Sequence, residues 1–409
     1  MPSTRTSAVA GAAAMALLVG PALVGATLVG AAPAGATSPS VISPSEPRTA
    51  AVARADRALD RALHELVAMR GGPPGVIALV QRKHRREVHT SGVANVRTGR
   101  KMTVHDRMRL ASTAKAFSGA AALALVSKGR LSLRATIGQV LPRLPAAWSA
   151  VTLKQLLHHT SGLPDFSKDP DFLPAVLASL TKAPRPRELL EYVADEPLEF
   201  DPGARYAYSN SDNIVVGLMI QAVTGASYEG QLFEQVYQPL GLRKTTLPRG
   251  ANLRPPFIHG YDNDPTAHPP EDQSELIAAG WAWASGGLVS TPADLNRFVR
   301  AYVRGDLVTS HVRSKQRQVI RGGRSEPPGP GVNSAGLAIF RYQTRCGTVW
   351  GHTGNTLGYT QFMAATPNGR RSVTVSVNSQ LTPSTGDREA FRALRRAERR
   401  AVCAALAGR

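Results

Sequence analysis

Segments that read as β-strands stand at both ends of this 409-residue chain with helices between them, so one sheet has to be assembled from pieces far apart in sequence. Near the start, Val76 to Gln81 and Glu87 to Ala94 are strand-like runs joined by a charged turn. Near the end, Gly336 to Arg341, Val349 to His352 with its continuation, Gly358 to Thr366 and Arg371 to Asn378 have the same character, and Pro367-Asn368-Gly369 supplies a turn between the last two. A helix is expected before the first pair: Val52 to Arg70 carries Leu59, Leu63, Leu66 and Val67 on one stripe and stops at Gly71-Gly72-Pro73-Pro74. Another, Asp387 to Leu406, follows the last strand. Between them Ser112 to Val126, Pro186 to Ala194, Asn213 to Thr224 and Pro292 to Arg304 are helical by pattern, separated by Pro and Gly loops. The expectation is an α+β fold. An antiparallel sheet from residues 52–110 and 330–409 is flanked by N- and C-terminal helices, and a large, mostly helical region, residues 111–329, is inserted into it with a groove where the two parts meet.

Three short words in fixed order carry the chemistry: Ser112-Thr113-Ala114-Lys115, Tyr208-Ser209-Asn210 and His352-Thr353-Gly354. A serine hydroxyl is a poor nucleophile until a base takes its proton, and a lysine three residues on along a helix lies on the same face, one turn away. Ser179-Leu180-Thr181-Lys182 has the same spacing, but Pro184 and Pro186 follow at once and forbid the helix that would align the pair. Ser112 instead opens an apolar run closed by Gly129, and the plainer reading of it is a helix cap. Arg97-Thr98-Gly99 imitates the third word but precedes the first, and Tyr261-Asp262-Asn263 imitates the second but sits in a polar loop before Pro265, whereas Tyr208 precedes an apolar helix. Ser211-Asp212-Asn213 overlaps the second word and resembles the Ser-Asp-Asn box of class A β-lactamases, but the Glu-x-x-x-Asn that usually accompanies that box occurs nowhere in the sequence. Gly-x-Ser-x-Gly and His-Glu-x-x-His are both absent from the sequence, which argues against an α/β-hydrolase triad and against a metal site; no metal or cofactor is expected. His158-His159 reads as part of a loop framework, Leu156 to Pro164.

The N-terminus has one cation, Arg5, then an uncharged stretch from Ser7 to Ala32 and Ala34-Gly35-Ala36. This predicts a signal peptide over 1–36, a Pro/Ser/Thr-rich linker over 37–51 and a secreted product, with an uncleaved anchor as the alternative. The net charge is +20, and removing Arg5 leaves +19. Runs such as Arg82-Lys83-His84-Arg85-Arg86 are read as solvated faces suited to an anionic cell wall rather than to nucleic acid. The two cysteines, Cys346 and Cys403, are an even pair, and in an oxidising compartment such pairs usually bridge; two buried thiols are the other reading.

Taken together, these words resemble the class C β-lactamase and D-alanyl-D-alanine carboxypeptidase superfamily, and most of all the secreted DD-carboxypeptidases of actinomycetes. The resemblance runs from about Gly75 to Cys403 and includes His159 to Leu163, Pro202-Gly203 and the Trp281 to Asp294 segment. It implies a β-lactamase/transpeptidase-like fold with Ser112 as nucleophile, Lys115 as proton acceptor or relay, and Tyr208 passing the proton to the leaving amine. It also implies that Asn210 and Trp281 bind substrate, that His352 and Thr353 line the far wall, and that the N–H groups of Ser112 and Asn355 form the oxyanion hole. Cysteines before the third word and in the last helix recur in those peptidases. The implied activity is cleavage of a terminal D-Ala from peptidoglycan stem peptides through an acyl-enzyme, by a monomer inhibited by β-lactams. Two positions depart from the pattern. Asn355 stands where the peptidases have Thr, and Phe340 where they place a carboxylate-gripping arginine, leaving Arg341 as the candidate grip on the other side of a regular strand. A β-lactamase, esterase or amidase on the same fold is therefore the first rival, and a non-catalytic penicillin-recognising wall binder the second.

Overall fold

The computed structural model describes residues 48–262, 264, 266–383 and 388–408. The expected signal peptide and most of the expected linker lie outside the described residues. In chain order the elements that build the site are α1 (Arg48–Ala68), β1 (Gly75–Arg82), β2 (Arg85–Gly92), β3 (Met108–Arg109), α2 (Ala114–Ser127), α3 (Leu153–His158) and α4 (Asn210–Thr224). They continue with α5 (Trp283–Gly286), β4 (Val289–Ser290), α6 (Pro292–Arg304), β5 (Ile320–Arg321), β6 (Val332–Gly336) and β7 (Ile339–Thr344). The last are β8 (Gly347–Thr356), β9 (Tyr359–Ala365), β10 (Arg371–Val377) and α7 (Arg388–Leu406). Helix α1 starts at Arg48, so the last residues of the expected linker belong to it.

Eight strands form one antiparallel sheet in the order β2-β1-β10-β9-β8-β7-β6-β5. Val76 of β1 pairs with Val377 of β10, so strands from the two ends of the described chain lie side by side, one strand in from the β2 edge of the sheet. All eight residues of β1 are buried, as its near-continuous apolar run requires of a strand covered on both faces. On one face Val76, Ala78, Val80, Val373, Val375 and Phe362 pack against Leu59, Leu63 and Leu66 of α1 and Leu394, Ala397 and Ala401 of α7. The other face, including Ile77 and Met363, packs against Leu295, Phe298 and Tyr302 of α6 and the helical region beyond. Burying each large aliphatic side chain contributes about 1.5–3 kcal/mol, so a few such contacts offset the slowly growing entropy of closing so long a loop. Cys346, in the turn before β8, is disulfide-bonded to Cys403 of α7.

Two elements differ from the sequence expectation. Gly336 to Arg341 is not one strand: β6 ends at Gly336, the chain turns through Leu337 and Ala338, and β7 starts at Ile339. Ala338 adopts φ 51°, a left-handed turn made without the Gly or Asn that would have signalled it. The expected helix at Pro186 to Ala194 is a 3-10 stretch, Glu188–Val193.

Candidate active site

The nucleophile turn is fixed before the helix begins. Met108 and Arg109 pair with Ser290 and Val289, and Ala111 takes φ 50°, a costly conformation for a residue with a Cβ. A 3-10 turn over Ala111–Thr113 then leads into α2, leaving Ser112 half-buried at the helix start and Lys115 one turn along it. Gly354 of β8 lies directly against this turn. A Cβ there would sit 2.8 Å from Leu110 O, Ser112 N and Thr113 N, so only glycine lets β8 approach the nucleophile. Pairing of β7 with β8 stops at Phe340 and Gly351, whereas β8 continues to Thr356 against β9. The stretch from His352 to Thr356 thus has a flank that β7 leaves uncovered, where an extended substrate can lie alongside.

Lys115 is 1% exposed and its Nζ has three neighbours: Asn210 Oδ1 at 2.7 Å, the Ser285 carbonyl of α5 at 2.8 Å and Ser112 Oγ at 3.3 Å. Burial lowers its pKa to about 7, and the acidic groups Asp165, Glu326 and Asp212 only partly oppose that shift. A neutral amine has two N–H groups and one lone pair. The two carbonyl oxygens can only accept, so they take the two N–H donors and leave the lone pair for Ser112, whose hydroxyl can donate. The amine is therefore oriented as a base toward Ser112.

Tyr208, one residue before the N-cap Ser209 of α4, lies with its ring 5.0 Å from Lys115 Nζ. Burial raises its phenol well above the ordinary value, so at neutrality it carries its proton. Its hydroxyl is near enough to Ser112 for that group to favour the ionised form, yet it makes no well-formed hydrogen bond and is buried without a partner. The His159 ring tilts against it at 4.5 Å, with Nδ1 2.8 Å from Asp212 Oδ2, and Ser161 Oγ donates to Asp212 Oδ1 at 2.5 Å. Burial opposes charge on both partners, lowering the His159 pKa to about 3 and raising that of Asp212. Asn210 is held on both sides: its Oδ1 accepts from Lys115, and its Nδ2 donates to Asp165 Oδ2 at 3.1 Å and Ser167 Oγ at 2.9 Å.

His352 sits on β8, fully buried, with its ring 4.9 Å edge-to-face from Phe340. Nδ1 is 2.5 Å from the Thr353 carbonyl, which can only accept, so this nitrogen carries the hydrogen. Burial holds the pKa at about 3, and Nε2 is a buried lone pair without a partner. The third word thus supplies a neutral acceptor at the end of the groove, not a cation.

Ser112, Lys115, Tyr208 and Asn210 converge, and Gly354 brings β8, with His352 and Asn355, up to the nucleophile turn. Three other expected residues point elsewhere. Thr353 Oγ1 lies 2.6 Å from both Ser325 Oγ and the Pro327 carbonyl, fixing the 325–327 segment. Trp281 packs edge-on against Phe172 and donates its indole N–H to the Ser179 carbonyl. Arg341 pairs across the sheet with Trp350, four residues along β8 from Gly354, or about 13 Å at strand spacing. Its Nη2 donates to Ser334 Oγ, and its Nε is buried without a partner. Sequence reasoning missed Asp165, Ser285, Glu326 and the His159–Asp212 pair. Asp165 directly follows the Leu156 to Pro164 framework, the one signal that pointed at it, while Glu326 lies in a loop without a motif.

The beta-lactamase family model matches residues 57–398, and the chain belongs to that family, a family of serine hydrolases built on this mixed fold. Among particular relatives, penicillin-binding protein 4* of Bacillus subtilis (strain 168) is 24% identical over 287 residues, 67% of this chain and 61% of that protein. A putative D-alanyl-D-alanine carboxypeptidase of Escherichia coli (strain K12) is 25% identical over 221 residues, 48% of this chain and 50% of that one. The chain thus spans less than two thirds of the length of these curated relatives. A solved structure, the D-stereospecific amidohydrolase from a Streptomyces species, matches with a TM-score of 0.71 at 27% identity, covering 82% of this chain and 97% of that one.

Proposed function

We propose that this chain is a serine amidohydrolase that works through an acyl-enzyme at Ser112. The observation that carries the reading is the trio of Lys115 contacts, which uses both amine hydrogens on carbonyl oxygens and turns the lone pair toward Ser112. Ser112 Oγ bonds to the carbonyl carbon of an amide while its proton passes to Lys115 Nζ. The oxyanion that forms faces the N–H groups of Ser112 and Asn355, each such donor worth ~3 kcal/mol. The C–N bond then breaks, and the Lys115 proton reaches the leaving nitrogen through the Tyr208 hydroxyl. Water enters by the reverse route, gives up its proton to the same relay, and releases the acid with the serine restored.

For the substrate we favour an aminoacyl amide or peptide of D configuration, with β-lactams as acylating inhibitors. The penicillin-binding, carboxypeptidase and D-stereospecific relatives support this range. Within it, the placement of Arg341 weighs against a demand for a free terminal carboxylate. Its guanidinium is turned to Ser334, and the charged neighbours that act on Lys115 are carboxylic. The test compares a D-Ala-D-Ala peptide with its C-terminal amide, on the wild type and on Arg341→Ala. Hydrolysis of the amide at least as fast as the acid, with Arg341→Ala close to wild type, is expected. Cleavage confined to the free acid and lost in Arg341→Ala would restore the carboxypeptidase reading. We also hold to export with cleavage after Ala36, which N-terminal sequencing of the protein from the culture medium checks.

A further inference from the structure

Where α7 passes the β6–β7 pair lies a hollow of about 410 Å³ lined by Gly331, Val332, Gln343, Thr344, Arg345, Arg396, Arg399 and Arg400. Its floor is where β6 begins and β7 ends, with Val332 paired to Gln343. Its wall is α7, where Arg396, Arg399 and Arg400 stand three and four residues apart on one face. Like charges at that spacing repel, by a few tenths of a kcal/mol per pair. Among the described residues none of these four guanidiniums makes an ion pair or a side-chain hydrogen bond. The nearby carboxylate, Glu398, is fully enclosed and pairs with Arg395 at 2.7 Å; it feels the charge of Arg399 but makes no ion pair with any of the four.

We propose that this cavity is an anion-binding site for the phosphodiester chain of a polyol-phosphate polymer, anchoring the enzyme while its groove stays free. Guanidinium forks match phosphate oxygens two at a time, and four of them around one hollow provide donors in several directions. The hollow is open to solvent, with all four arginines exposed, and its volume leaves room for more than one phosphate. No aromatic side chain lines it, so it lacks the stacking platforms on which single-stranded nucleic acids rest. Gly347, beside the cavity, is seven residues along β8 from Gly354, or about 23 Å, so a bound polymer does not obstruct Ser112.

The experiment titrates the full chain with a glycerol-phosphate oligomer of defined length at several salt concentrations. It compares the wild type with Arg396→Gln/Arg399→Gln and with a control pair, Arg130→Gln/Arg134→Gln, which removes the same charge from an exposed surface elsewhere. β-Lactam labelling of Ser112, equal in all three proteins, shows that the variants are folded. The cavity variant should bind about tenfold or more weakly, with the slope of log affinity against log salt reduced by about two, while the control keeps the wild-type slope. Equal loss in both variants would mean that net charge alone is responsible. Tighter binding of a single-stranded oligonucleotide of equal charge, or full competition by inorganic phosphate at the same phosphate concentration, would also overturn the proposal.

Discussion

An ordinary lysine keeps its proton to about pH 10.5, and at neutrality could not deprotonate a serine; enclosing Lys115 between Asn210, Ser285 and Tyr208 brings that value to about 7. The same burial moves the Tyr208 phenol upward, so the two groups divide the work, the amine accepting and the phenol relaying. Acylation, read as kcat/KM, should therefore rise with pH and level off above about 7. A profile flat from pH 5 to 9 would contradict this. The depressed pKa also has a stability cost. Between pH 10.5 and 7 the unfolded chain gains a proton at this lysine that the folded chain does not, so stability falls as pH is lowered through that window and is level below it. Lys115→Met, which abolishes acylation, should thus gain on the wild type in denaturant midpoint between pH 10 and pH 7. A difference that does not change with pH would indicate that the Lys115 pKa is not lowered in the folded chain.

At the scale of elements, β8 brings two of the three words together, and Gly354 is what lets it do so. Gly354→Ala places a methyl against three backbone atoms of the nucleophile turn, so β8 or that turn has to give way. We expect acylation to fall ~100-fold or more, since a displacement near 1 Å at the reacting groups costs that much, with the melting temperature lowered by only a few degrees. Near-normal acylation would mean the strand is not set by this contact. The Cys346–Cys403 bond spans 57 residues and holds the turn before β8 to α7. Replacing both cysteines by alanine should cost ~4 kcal/mol in unfolding measurements while sparing the acylation rate, because the bond lies at the end of β8 away from Ser112. Apolar period and turn chemistry made β1, β8, β9, β10, α6 and α7 legible in the sequence, to within a few residues at their ends. The β6–β7 hairpin was not, because Leu337-Ala338-Ile339-Phe340 is an unbroken apolar run whose turn depends on a strained alanine rather than on Gly or Pro. The 3-10 stretch at Glu188–Val193 likewise carries a helical pattern too short to show its pitch.

In the whole molecule the two chain ends share one sheet, and the inserted helical region brings Ser112, Lys115, Tyr208 and Asn210 to the end of β8. The Ser112–Lys115 pair could be read from spacing, because Ser-x-x-Lys on a helix fixes its own geometry, whereas the places of Tyr208 and Asn210 followed only from the family resemblance. The groups that complete the site could not. Asp165, Glu326 and Ser285 reach Lys115 only through tertiary packing, and the sequence showed neither that His352 is enclosed and neutral nor that Thr353 turns to the 325–327 segment. The same limit applies to Arg341, whose register opposite Trp350 decides whether a substrate carboxylate meets a cation. The proposed activity depends on one serine becoming covalently acylated. The direct measurement is intact-mass analysis with peptide mapping after a β-lactam, on the wild type, Ser112→Ala and Ser179→Ala. One adduct per chain, mapped to Ser112, absent in Ser112→Ala and unchanged in Ser179→Ala, is the predicted result; an adduct that persists in Ser112→Ala, or none in the wild type, would contradict it.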